Sequence, residues 1–124
     1  MADAAIRGID IHTYLVKDAA RAKAFWRDTM GLPMTWDHEQ GAELELPDGG
    51  TFGLWQMDDG SWQAGNGIMF AVDDVVAATE AYRAKGVAFF HHEETPGCFM
   101  AMAHDSEGNA FVLHQRKAHA GHGK

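Results

Sequence analysis

Residues 49–56 read "GGTFGLWQ" and residues 107–115 read "EGNAFVLHQ". Phe52, Leu54 and Gln56 match Phe111, Leu113 and Gln115, each pair 59 positions apart. Phe and Leu at alternate positions belong to one face of a half-buried strand. The residue between them is Gly53 in the first copy and Val112 in the second. A strand written twice suggests a unit written twice, and the flanking sequence follows suit.

Ahead of the first copy, "IDIHTYLV" (9–16) has the β-branched and aromatic content of a strand. Asp18 is a good helix N-cap, "AARAKAFWRDTM" behind it carries an apolar stripe, and Gly31 is placed to stop the helix. "PMTWDH" (33–38) and "AELELP" (42–47) read as strands, the latter alternating apolar and acidic residues. Pro47-Asp48-Gly49-Gly50 is turn chemistry before "TFGLWQM" (51–57). The polar, Gly-rich "DDGSWQAGNG" (58–67) then separates this from the same order again. "GIMFAV" (67–72) is a strand, and Asp73-Asp74 caps "VVAATEAYRAK" (75–85) before Gly86. "VAFFHH" (87–92), "CFMAMAH" (98–104) and "AFVLHQ" (110–115) are three further strands, with "DSEGN" (105–109) as the last turn. Val16 and Val72, Asp18 and Asp74, Trp26 and Tyr82 are each 56 apart. The fold expected is therefore α+β: two tandem βαβββ modules, about 8–57 and 67–117, in a single domain spanning 1–124. The linker is 58–66 and the tail 118–124, "AHAGHGK", is a loose end. A lone unit would leave a sheet face bare, so two units are expected to complete a curved mixed sheet around a cavity, with the helices outside.

Bulk properties narrow the function. The chain has 124 residues, 46% of them hydrophobic, which is enough for a core. Ten basic against 18 acidic residues give a net charge of −8, and the basic ones are scattered, against nucleic acid or an anionic membrane surface as partner. A lone cysteine, Cys98, suits a reducing compartment, and with no apolar leader or span the expected location is the cytoplasm.

"YLVKDAARAKAFWRDTMGL", "FAVDDVVAATEAYRAKGV" and "HDSEGNAFVLHQ" together resemble the vicinal oxygen chelate proteins, which include glyoxalase I, extradiol dioxygenases and bleomycin-resistance proteins. The resemblance covers about residues 8–117, with Ser106 where proline is common. It implies paired βαβββ modules around an open cavity, often completed in a homodimer. It also implies a divalent metal held by a His at the start of each module's first strand and a Glu in each last strand. The His positions, seven residues before the capping Asp, are Ile11 and Gly67 here; the Glu positions, four after the turn Gly, are Gly53 and Val112. None carries a donor atom, so neither that metal site nor any cofactor is expected. His12 and His114 are the fallback ligands, were a bulge to re-aim His12.

Strand alternation sets the expected ligand-binding residues. These are Thr13 and Leu15 (beside Ile11), Thr51, Gly53 and Trp55, Gly67 and Met69 (beside Ala71), and Val112 and His114 (beside Ala110). Phe52, Leu54, Ile68, Phe70, Val72, Phe111 and Leu113 would face the helices. Such a pocket is apolar with few polar handles, the usual make-up of a small-molecule site. Trp55 suits stacking on a planar ligand, and His114, titrating near neutrality, is the candidate general acid or base. His91-His92-Glu93-Glu94 reads as a solvated strand end, and Cys98 as an inert buried thiol. Trp62, in the linker, suits a ligand contact or a dimer seam. The expectation is a binding protein for a small apolar or aromatic molecule, working as a homodimer. The alternative is a lyase- or dioxygenase-like enzyme using a non-canonical metal site or metal-free acid/base chemistry at His114.

Overall fold

A computed structural model describes residues 4–7 and 9–117; the expected tail, 118–124, lies outside the described residues. The first module runs β1 (His12–Leu15), α1 (Ala19–Lys23) with a π-helical continuation (Ala24–Thr29), β2 (Met34–His38), β3 (Gly41–Glu45) and β4 (Thr51–Trp55). The second runs β5 (Ile68–Ala71), α2 (Val75–Ala84), β6 (Phe89–Glu94), β7 (Cys98–His104) and β8 (Ala110–Arg116). Each module is one mixed four-stranded sheet, β1-β4-β3-β2 and β5-β8-β7-β6. In both, the first strand lies parallel to the last, with His12 opposite Phe52 and Ile68 opposite Phe111. The expected α+β architecture of paired βαβββ modules is present, with the mixed sheet divided into these two halves.

The repeated residues do repeated work. Asp18 and Asp74 cap their helices, accepting from Arg21 N at 3.1 Å and Ala77 N at 3.0 Å. The strand-end glutamines add a second cap each: Gln56 Oε1 accepts from Ala19 N and Gln115 Oε1 from Val75 N, both at 2.8 Å. Each glutamine thus satisfies the first backbone N–H of its own module's helix, one of the donors a helix start leaves unpaired. Gly31 (φ 81°) and Gly86 (φ 98°) follow the helix ends in the left-handed conformation that suits glycine there.

One part of the first helix differs from expectation. Residues 24–29 wind as a π-helix, and Met30 N donates to Phe25 O, five residues back. The wider turn lets two consecutive aromatic residues, Phe25 and Trp26, both pack inward. Trp26 is 1% exposed, and its ring lies 4.7 Å from Phe52 of the first sheet and 5.3 and 5.0 Å from Phe70 and Phe111 of the second. The two modules therefore share one core. It contains all seven residues expected to face the helices, Phe52, Leu54, Ile68, Phe70, Val72, Phe111 and Leu113.

A polar junction locks the modules at one end. The buried Glu107 carboxylate, in the turn before β8, accepts from Lys17 N and Asp18 N at the start of α1, both at 2.9 Å. It also takes both arms of Arg21, at 2.5 and 2.9 Å. Burial pushes this carboxyl up, but the Arg21 guanidinium, the two backbone N–H groups and Ser106 outweigh it and hold Glu107 below its ordinary range. Asn109, fully buried, donates to Leu15 O and to Asp105, which also accepts from Trp26 Nε1 at 3.2 Å. Tyr14 donates its hydroxyl to Ala110 O at 2.6 Å, and burial raises the phenol to about 12 against an opposing contact with the Ile68 backbone. Trp62, in the linker, is half-buried against Gly108, with Lys17 Nζ 4.1 Å from its ring centre.

Candidate functional site

Because one face of each sheet is committed to the shared core, the alternate residues form an outer face on each. On the first sheet, one row across the strands reads Thr13, Gly53, Glu43 and Trp36, and the next reads Leu15, Trp55, Gly41 and His38. On the second, the rows are Met69, Val112, Met102 and His91, then Ala71, His114, Met100 and Glu93. The expected ligand-binding residues thus fall into two groups. Thr13, Leu15, Thr51, Gly53 and Trp55 share the first outer face; Met69, Val112 and His114 share the second, with Gly67 just ahead of β5. The alternation that separates core from outer face holds along β1, β4, β5 and β8, whereas β2 and β6 each break it with a register shift, between Met34 and Trp36 and between Phe89 and His91.

The four positions implied as metal ligands also sit on these outer faces. A side chain beginning at Gly53 would meet the Ile11 Cγ2 methyl at 3.1 Å and the Thr13 hydroxyl at 2.9 Å. Ile11 and Gly53 are thus neighbours, as two ligands of one ion would be, but they present only a hydrocarbon side chain and a hydrogen. Gly67 opens onto free space, and Val112 is 8% exposed. Among the described residues no three His, Cys, Asp or Glu side chains are grouped as a metal ion requires. The fallback pair is split between sheets and faces: His12 lies on the core side of β1, whereas His114 lies on the outer face of β8.

The first outer face carries a feature that the sequence reading did not find. Trp36 stacks on His38 (5.3 Å, 20°), and His38 leans on Trp55 (5.2 Å, 34°). His38 and Trp55 come from strands separated by β3, and the residue between them in the row is Gly41. A Cβ on Gly41 would meet Trp55 Cε3 at 2.8 Å and Leu54 O at 2.0 Å. The missing side chain lets the two rings meet over the middle strand. His38 Nδ1 accepts from Gln40 N at 3.0 Å, which leaves Nε2 as the donor of the neutral ring. The result is a three-ring ladder, with Trp36 44% exposed at its rim. The glycine in "QGAEL" was the available signal, but only the strand register aligns it with His38 and Trp55.

The remaining motif residues have local roles. His91, His92, Glu93 and Glu94 are exposed, with His91 Nε2 3.2 Å from Glu93 Oε1, as a solvated strand end should be. Cys98 is buried beside the Thr95 hydroxyl. A separate cleft of about 480 Å³ lies on the core side of the sheets, reached by His12, Gly67 and Met69 but not by Trp55 or His114. No helix among the described residues is long and apolar enough to cross a membrane.

Comparison with known proteins agrees with this architecture. Residues 8–113 match the sequence profile of the Glyoxalase/Bleomycin resistance protein/Dioxygenase superfamily. The uncharacterized protein YetH of Bacillus subtilis (strain 168) is 30% identical over 118 residues, covering 87% of this chain and 98% of YetH. Among solved structures, TnmS3, an antibiotic binding protein from Streptomyces sp. CB03234, superposes with a TM-score of 0.79 at 24% identity, covering 93% of this chain and all of TnmS3. A lactoylglutathione lyase from Agrobacterium tumefaciens superposes with a TM-score of 0.76 at 20% identity, covering 87% of this chain and 92% of the lyase. Both likenesses are of fold: one neighbour is described as a binder and the other as an enzyme, and the fold serves both.

Proposed function

The chain belongs to the Glyoxalase/Bleomycin resistance protein/Dioxygenase superfamily, and on that premise we propose that it binds small, planar aromatic or apolar molecules on its outer sheet faces. The observation that carries this reading is the Trp36–His38–Trp55 ladder beside the donor-free pair Ile11 and Gly53. Where the superfamily resemblance implies a chelated ion, this chain offers Ile11 and Gly53, with Thr13 and Glu43 in the same row as Gly53, next to stacked rings. A flat ligand laid there meets aromatic faces, the ring N–H groups of His38, Trp36 and Trp55, and the neighbouring Thr13 and Glu43.

The two outer faces also support the homodimer. Ile11, Trp36 and Met57 are 37%, 44% and 38% exposed, and Met69 and Phe90 are each 53% exposed. Set against the first face of one copy, the Met69–Met100–Met102 face of another would enclose an apolar cavity with the aromatic ladder on one wall. Thioethers are deformable packing partners for such a ligand.

The test is tryptophan fluorescence titration against a library of planar aromatics, with light scattering of the same samples. Saturable quenching is expected, lost in Trp55→Ala and in Trp36→Ala, from a particle of twice the chain mass. No response across the library would refute the reading. His114 lies on the second outer face, so His114→Ala is measured in parallel. Retained binding is expected; turnover that disappears with His114 would make the protein an enzyme instead.

A further inference from the structure

The two modules are joined twice by pseudo-equivalent contacts, and only one of the two junctions is built. At the built end, the turn 105–109 docks on β1 and α1 through Asp105, Glu107, Asn109, Tyr14, Arg21 and Trp26. Applying the repeat's own offsets, 59 for the turn and 56 for the front elements, gives the residues at the other end. Asp105 becomes Leu46, Glu107 becomes Asp48, Asn109 becomes Gly50, Tyr14 becomes Phe70, Arg21 becomes Ala77, and Trp26 becomes Tyr82. The contacts of Tyr14, Arg21, Trp26 and Asn109 have each lost a partner in the second; only the turn carboxylate and the two backbone N–H groups before the helix keep their counterparts, Asp48 and residues 73 and 74.

What stands there instead is the cleft of about 480 Å³, between the turn at Leu46-Pro47-Asp48, the strand β5 and the helical Tyr82. Its wall is aromatic: the half-buried Phe70 is backed by the buried Trp26 and Phe52, the three rings meeting edge-to-face or tilted at 4.7–5.4 Å. Consecutive residues from Gly67 to Val72 line it, because β5 is an edge strand whose second edge pairs with no strand among the described residues. Asp48 stands at the mouth. Its Oδ1 accepts only from Gly50 N, at 2.8 Å, and among the described residues no ion pair reaches it. Its counterpart Glu107 has Arg21; position 77, where the matching cation would stand, is alanine.

We propose that this cleft is a second ligand site, for a small molecule with a planar aromatic body and one cationic group. The body lies against the half-buried Ile68, Phe70 and Tyr82, and the cation takes beside Asp48 the place that Arg21 takes beside Glu107. The volume is within the range of sites for drug-sized molecules. The net charge of −8 favours a cationic ligand over an anionic one. The site is on the opposite side of the sheets from Trp55, so it stands or falls independently of the outer-face reading.

Proflavine, a planar aromatic cation, is the probe, with the anionic dye 1-anilinonaphthalene-8-sulfonate as the control of opposite charge. Saturable proflavine binding is expected, weakened at least tenfold by Leu46→Trp, which fills the mouth. Asp48→Asn should weaken proflavine severalfold without weakening the anionic dye; Asp48 is exposed, so that variant keeps its fold. Trp55→Ala removes only the outer-face binding of planar aromatics, so the proflavine component sensitive to Leu46→Trp and Asp48→Asn should persist in it. Wild-type affinity in both Leu46→Trp and Asp48→Asn would overturn the proposal, as would loss in Trp55→Ala of the proflavine component that Leu46→Trp removes. A dimer that dissociates in Leu46→Trp and competes with proflavine would assign the cleft to a second copy and overturn it equally.

Discussion

Glu107 shows how one side chain decides the join between modules. It is buried, yet it meets five donors, and a buried carboxylate so satisfied is costly to neutralise. Glu107→Gln keeps the shape and removes the charge, so it should destabilise by about 1–3 kcal/mol, the range for a hydrogen bond to a charged group; urea unfolding at neutral pH measures it. The pH dependence has a definite sign. Unfolded, the carboxyl titrates near its ordinary 4.5; folded, it titrates lower. The unfolded chain therefore binds the proton first, and the stability that Glu107 contributes above pH 4.5 disappears as pH falls through the folded value. The urea midpoint of Glu107→Gln should fall less steeply on acidification than that of the parent. Tyr14 works in the opposite direction. Its phenol is raised from 10 to about 12, so the unfolded chain ionises first and stability falls as pH rises from 10. Tyr14→Phe should lose about 0.5–1.5 kcal/mol at neutral pH, the net value of one hydrogen bond, and flatten that alkaline decline in the same assay.

At the scale of the element, the strand that ends in Gln and the helix that begins with Ala or Val form one unit. Gln56 and Gln115 reach back to the first N–H of α1 and α2. Gln56→Ala and Gln115→Ala should each cost about 1 kcal/mol, as loss of a helix cap does, and both should be read by thermal unfolding. If either is neutral, Asp18 or Asp74 alone suffices at that helix. Gly41 governs a different element, the row that crosses β2, β3 and β4. Gly41→Ala puts a methyl against Leu54 O and the Trp55 ring, so it should separate His38 from Trp55 and destabilise the sheet by about 1–3 kcal/mol, the usual result of overpacking. Much of this scale was legible in the chain: the capping aspartates, the glycine stops and the apolar alternation each act through neighbours in sequence. The π-helical turn at 24–29 was not, because it answers to Trp26 reaching three aromatic rings on two sheets.

For the molecule as a whole, the consequence of the shared core is that each sheet has one committed face and one open face. An isolated copy leaves Trp36, Met69 and Phe90 substantially exposed. Contiguous exposed apolar residues mark association sites. Association through them should raise the unfolding temperature with protein concentration, by mass action. Met69→Lys and Phe90→Lys together should abolish that dependence and halve the particle mass, with little loss of fold because neither side chain belongs to the core. A concentration-independent unfolding temperature in the parent chain would remove the dimer from the functional reading.

The sequence by itself determined the repeat, the module order, the strand faces and the loss of donor atoms at Ile11, Gly53, Gly67 and Val112. These follow from spacing and side-chain chemistry, which a linear chain displays directly. Which faces meet was decided only in three dimensions. The chain lists Glu107 and Arg21 at a separation of 86 residues, Gly41 and Trp55 at 14, and nothing local says that one pair forms an ion pair or that the other shares a row. Packing chose the faces that carry Phe52 and Leu54 on one sheet and Phe70, Phe111 and Leu113 on the other as the common core around Trp26. In doing so it joined the modules firmly at the turn 105–109 and left a cleft at the turn 46–50, where the second copy of the same sequence pattern lacks the groups to close it.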